Sequence, residues 1–79
     1  MLKLSQLNFY NMTKIYKVFG DKVKKLRLEL GFTQEKLSEV CRLHRTYIAG
    51  IEKGRRNISI KNLEKIAKAL KVKPDELLK

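Results

Sequence analysis

The sequence has one cysteine, one proline, one histidine and no tryptophan, and each scarcity removes a class of function. A lone thiol, Cys41, cannot build a disulfide framework, so a reducing, cytoplasmic setting is expected. Cys41 and His44 together fall short of the ligand set of a structural zinc site, and no metal or other cofactor is expected. The glycines at 20, 31, 50 and 54 stand apart from one another, so no glycine-rich phosphate loop is present. The longest stretch without a charge, Leu4–Thr13, contains Ser5, Gln6, Asn8 and Asn11. It is too short and too polar for a membrane span or a signal-peptide core. No nucleophile has an evident base partner, and no catalytic residue is assigned.

Acidic residues are also few. The 79 residues hold 8 Asp and Glu against 19 Lys and Arg, a net charge of +11. One small domain with such a field attracts polyanions, nucleic acid foremost. The charge lies on the flanks: residues 1–32 and 55–79 carry +5 each, and residues 33–54 only +1. Non-specific attraction outside and a nearly neutral centre is the arrangement a sequence-specific binder requires.

The apolar residues recur at helical spacing. Phe19, Val23, Leu26 and Leu30 form one face of a first helix whose other positions hold Lys22, Lys24, Lys25 and Arg27, with Gly31 closing it. Thr33 caps a short second helix ending near Val40 or Cys41, and Phe32 and Leu37 have the spacing of a hydrophobic staple. Cys41-Arg42-Leu43-His44 reads as a tight turn, followed by a third helix from Arg45 to Lys53 with Gly54 at its end. Ser59 caps a fourth helix with Leu63, Ile66, Ala67 and Leu70 as its stripe. Pro74, Asp75 and Glu76 open a fifth, which carries Leu77 and Leu78. The expected fold is all-α. Residues 19–79 form the domain, and residues 1–18 an N-terminal arm or the start of helix one, with Met12 an alternative first residue.

Helices two and three with their tight turn have the pattern of a helix-turn-helix. Ser38 supplies a small residue at the crossing; Leu37, Val40, Leu43, Ile48 and Ile51 seal the pair from inside. Arg45, Thr46, Ala49 and Gly50 then face outward, with Tyr47 at the margin.

The run Thr33-Gln34-Glu35-Lys36-Leu37-Ser38, through Arg45-Thr46-Tyr47-Ile48-Ala49-Gly50-Ile51-Glu52-Lys53-Gly54, resembles the phage-repressor (lambda repressor and Cro, XRE-type) helix-turn-helix family. The likeness extends from about Phe19 to Leu78, and the Arg-Thr-Tyr-Ile run and Arg56-Asn57 look most like the controller proteins of restriction–modification systems. The resemblance implies a compact five-helix domain and a homodimer regulating transcription from a pseudo-palindromic operator in double-stranded DNA. Many members have glycine in the turn where Arg42 stands; arginine in a left-handed conformation costs about 1 kcal/mol more, which leaves the turn's geometry open.

Each residue has its expected role. Arg45, opening the recognition helix, is suited to bidentate pairing with guanine O6 and N7. Thr46 suits a thymine methyl or a phosphate, and Tyr47 a base edge or the backbone. Gln34, at the start of helix two, is expected on a phosphate. Arg55, Arg56 and Asn57 are expected on the DNA backbone, and the resemblance lets Arg56 reach the flanking groove. Val72, Leu77 and Leu78 offer apolar surface to a second copy. Glu35 and Glu39 face outward on helix two, where RNA polymerase is a candidate partner. Lys61, Lys65, Lys68 and Lys71 read as a solvated face, His44 as a surface or capping residue, and Cys41 as a small buried hydrophobe.

Other readings remain on composition. An antitoxin or prophage-type repressor shares the fold. A non-specific basic nucleic-acid-binding protein would show aromatics interleaved with basic residues, and the chain's six aromatics form no such array. Binding to a membrane surface would need the apolar stripes that the core requires. Residues 1–11 carry a single charge, Lys3, and are expected to be dispensable for DNA binding. A chain beginning at Met12 should bind its DNA within a few-fold of the full chain in an anisotropy titration. A hundredfold loss would make the N-terminal residues part of the binding unit.

Overall fold

The computed structural model describes residues 9–78, with side-chain surroundings from Lys14 onward. Helix α1 spans Phe9–Glu29, α2 Gln34–Cys41, α3 Arg45–Glu52 and α4 Ile60–Ala69. No strand occurs among the described residues, and the fold is all-α. The expected fifth helix is a 3₁₀ turn, Pro74–Leu78.

Each short helix starts where a side chain satisfies an amide that has no partner within the helix. Thr33 Oγ1 accepts from the Lys36 N–H at 2.9 Å, and Ser59 Oγ from that of Asn62 at 3.1 Å. His44 Nδ1 accepts from Thr46 N–H at 3.0 Å, so His44 is the cap of α3. All four helices end on a left-handed residue: Gly31, Arg42, Gly54 and Lys71, at φ of 73°, 59°, 73° and 62°. The following amide reaches back five residues each time, from Phe32 to Arg27, Leu43 to Ser38, Arg55 to Gly50 and Val72 to Ala67. Arg42 therefore adopts the geometry glycine would, and the three-dimensional fit outweighs its cost of about 1 kcal/mol.

α1 packs chiefly on α3, α2 lies against α3 and α4, and the 3₁₀ turn fits against α1 and α4. The core is Phe19 and Val23 from α1, Leu37 and Cys41 from α2, Ile48 and Ile51 from α3, Ile66, Ala67 and Ala69 from α4, with Leu70 and Leu77.

α1 begins at Phe9, so residues 9–18 belong to it, and residues 1–8 lie outside the described residues. Gly20 sits inside α1. A Cβ there would lie 2.0 Å from the carbonyl oxygen of Ile51, and one at Gly54 would lie 2.8 Å from Cα of Lys17. The helix thus rests directly on the backbone at the end of α3, over a length that begins before Phe19. Leu30 falls just beyond the last residue of α1 and Val40 on the outer side of α2, and both are exposed rather than sealed inside. Arg27 is buried rather than solvated. Leu77, expected at a dimer interface, is 0% exposed under its own chain's helices, which leaves Leu78 and half-buried Val72 as the accessible part of that patch.

Gly20→Ala sets two effects in opposition. Alanine gains about 1 kcal/mol of helix propensity, but its methyl meets backbone that cannot rotate away, and overpacking of this kind costs about 1–3 kcal/mol or more. Net destabilisation is expected, read as a lower urea midpoint at unchanged slope; a higher midpoint would mean that α1 and α3 do not touch at Gly20.

Candidate nucleic-acid interface

The residues around α3 are organised by a buried ion pair. Arg27 Nε donates to Glu52 Oε2 at 2.6 Å and Nη2 to Oε1 at 2.9 Å, with both side chains under a tenth exposed. Arg27 Nη1 donates to the carbonyl of Phe32 at 2.7 Å, and Gln34 Nε2 to Glu52 Oε1 at 3.1 Å. One guanidinium and one carboxylate thereby join the end of α1, the turn after it, the first residue of α2 and the end of α3. Among the described residues no buried side-chain polar atom lacks a hydrogen bond, which is the condition under which a buried ion pair is tolerated.

This frame exposes the first turn of α3. Arg45 and Thr46 are exposed, and the Arg45 side chain makes no hydrogen bond or ion pair among the described residues. Gln34 is half-buried, with its amide engaged on Glu52, so it lies at the edge of the face rather than free upon it. Tyr47 is half-buried: its hydroxyl accepts from Asn62 Nδ2 at 3.2 Å and donates to the Asn57 carbonyl at 3.5 Å. The Arg56 guanidinium lies 5.8 Å from the centre of the Tyr47 ring, and the aliphatic stem of Arg56 crosses Gly50, where a Cβ would come within 2.7 Å of its Cγ. Arg55, Arg56 and Asn57 are exposed in the loop after α3.

The structure thus brings Tyr47 together with Arg56 and Asn57, places Arg45 and Thr46 on the same helix, and ties Gln34 to the far end of that helix through Glu52. Val72, Leu77 and Leu78 belong instead to the segment after α4. Asn62 was not expected at this site, and neither was the Arg27–Glu52 pair. Arg27 did carry a signal, because it stands four residues after Val23 and eight after Phe19, on the buried stripe. Burial holds the Cys41 thiol pKa above its ordinary value, with its Sγ donating to the Ser38 carbonyl at 3.9 Å, as suits a packing residue. No group of metal-ligating side chains is found among the described residues, and none of their helices is long and apolar enough to cross a membrane.

Two helices joined by a left-handed turn, the second exposed at its first two residues and followed by a basic loop, form a helix-turn-helix. The helix-turn-helix family model matches residues 23–77. The control protein C.BamHI of Bacillus amyloliquefaciens is 55% identical over 62 residues, covering 77% of this chain and 76% of that protein. Among solved structures, the restriction–modification controller C.AhdI from Aeromonas hydrophila superposes with a TM-score of 0.77 at 40% identity, over 78% of this chain and 94% of its own. The controller C.Esp1396I, as a tetramer with its natural 35-base-pair operator, gives 0.73 at 44% identity, over 80% and 83%. The chain belongs to the helix-turn-helix family, among the relatives of the restriction–modification control proteins.

The ion pair gives a test of the frame. Glu52→Ala leaves a buried guanidinium and the Gln34 amide without their acceptor and should cost about 3–5 kcal/mol, whereas replacing Arg27 and Glu52 together by methionine should be far milder. Urea unfolding of both variants checks this. Equal losses would mean the pair is solvated rather than buried.

Proposed function

We propose that this chain is a sequence-specific regulator of transcription that binds a pseudo-palindromic operator as a homodimer and controls a restriction–modification system. The observation that carries the reading is the exposed Arg45 at the start of α3, with no partner among the described residues, framed by the capped start of α2 and the basic loop 55–57. α3 enters the major groove with Arg45 on guanine and Thr46 and Tyr47 beside it. The N–H groups at the start of α2, with Gln34, meet a phosphate. Arg55 and Asn57 hold the backbone, and Arg56, once it leaves the Tyr47 ring, reaches toward the flanking groove. A cytoplasmic setting suits this role. The exposed carboxylates of Glu35 and Glu39 on α2 are available to RNA polymerase.

A dimer doubles the base pairs read, since one α3 reads too few for useful specificity. Leu78, 41% exposed, with Val72 supplies the contact. Sedimentation of Leu78→Glu should show a folded chain of lowered mass relative to wild type. A dimer that persists would move the interface elsewhere.

Readout and positioning separate by mutation. Arg45→Ala should cost about 1–3 kcal/mol on a duplex that wild type selects from a random-sequence pool, and much less on scrambled DNA. Arg55→Ala should weaken both similarly and lower the salt slope by about one unit per protomer. Anisotropy titrations at several salt concentrations decide between these. If Arg45→Ala weakened both duplexes equally, base readout would pass from Arg45 to Thr46 and Tyr47.

A further inference from the structure

The Tyr47 hydroxyl is held from both sides, and the two contacts are unequal. Asn62 Nδ2 donates to it at 3.2 Å, while its own proton points to the Asn57 carbonyl at a marginal 3.5 Å. Asn62 is itself fixed, since its backbone N–H is the one that the Ser59 cap accepts. It is half-buried and sits three residues into α4 from that cap.

We propose that Asn62 is a positioning residue for DNA recognition, setting both the place and the polarity of the Tyr47 hydroxyl. An amide N–H can only donate, so it occupies a lone pair of the phenol oxygen and leaves the O–H directed outward. The Asn57 carbonyl retains that proton weakly. A better-placed acceptor on a base edge takes it with little lost. Tyr47 is thus presented to DNA as a donor. The same contact ties the start of α4 to α3, so the ring that carries Arg56 is held at a fixed angle. The inference rests on the DNA-binding reading above.

The experiment is a cycle of Asn62→Ala, Tyr47→Phe and the double variant, each as the full chain. The probes are the duplex that wild type selects from a random pool and a scrambled duplex of the same composition. Asn62→Ala should weaken the selected duplex about three- to tenfold, the scale of one net hydrogen bond. It should leave scrambled DNA within twofold and have no further effect in the Tyr47→Phe background. Tyrosine-labelled NMR spectra of the free protein should show the Tyr47 ring resonances shifted in Asn62→Ala, with those of Tyr16 unmoved. An equal loss on both duplexes, or the same loss with and without the Tyr47 hydroxyl, would overturn the assignment and make Asn62 a general stability or phosphate residue. If wild type selects no duplex at all, the DNA-binding reading itself fails. Selection by wild type with a neutral Asn62→Ala removes this inference alone.

Discussion

The Arg27–Glu52 pair is the constraint around which the rest of the structure is arranged. Two charges taken out of water must each find partners, and here they come from α1, the turn after it, α2 and α3. Arg27 reaches Glu52 only if α1 crosses the end of α3, and that approach requires glycine at 20, where the Ile51 carbonyl takes the space of a side chain. Glu52 stands at the end of α3, where the helix dipole disfavours an anion, and the guanidinium offsets that cost. Through Gln34 the carboxylate also fixes the start of α2. The two helices of the motif are therefore joined from inside by a directional polar contact as well as by apolar packing.

On the outer side the same arrangement leaves a short, well-anchored α3. Its first turn is capped by His44 and its last is closed by Gly54, so little of an eight-residue helix is left to fray. Arg45 and Thr46 project from the capped end, and the loop from Arg55 runs back along the helix, with Arg56 lying over Gly50 and Tyr47. Arg27 and Glu52 neutralise each other inside. The net charge of +11 is carried by the other side chains, where it can act on phosphates at a distance.

Much of this was legible in the sequence because local chemistry specifies it. Thr33 and Ser59 marked the starts of α2 and α4, and the Cys41–His44 turn separated the two helices of the motif. Gly31 and Gly54 marked two of the four helix ends. What was not legible depends on partners distant in the chain. Nothing near Arg27 announces a carboxylate 25 residues away, and nothing beside Gly20 announces the Ile51 carbonyl that packs on it. The burial of Leu77 has the same origin, because an apolar residue near the end of a chain does not reveal which helices will cover it. Asn62 escaped notice as one polar residue on a helix whose exposed side is largely lysine.

We place the surface that meets DNA on α3 and its two flanks, a proposal in keeping with the family to which the chain belongs. Amide chemical-shift mapping of the labelled full chain against the duplex it selects tests this most directly. The largest changes should fall on Gln34, on Arg45 to Tyr47 and on Arg55 to Asn57, while the Arg27 Nε–H resonance stays in place as the buried pair holds. Changes concentrated on Lys22 to Lys25 of α1 or Lys61 to Lys68 of α4, with α3 silent, would contradict it.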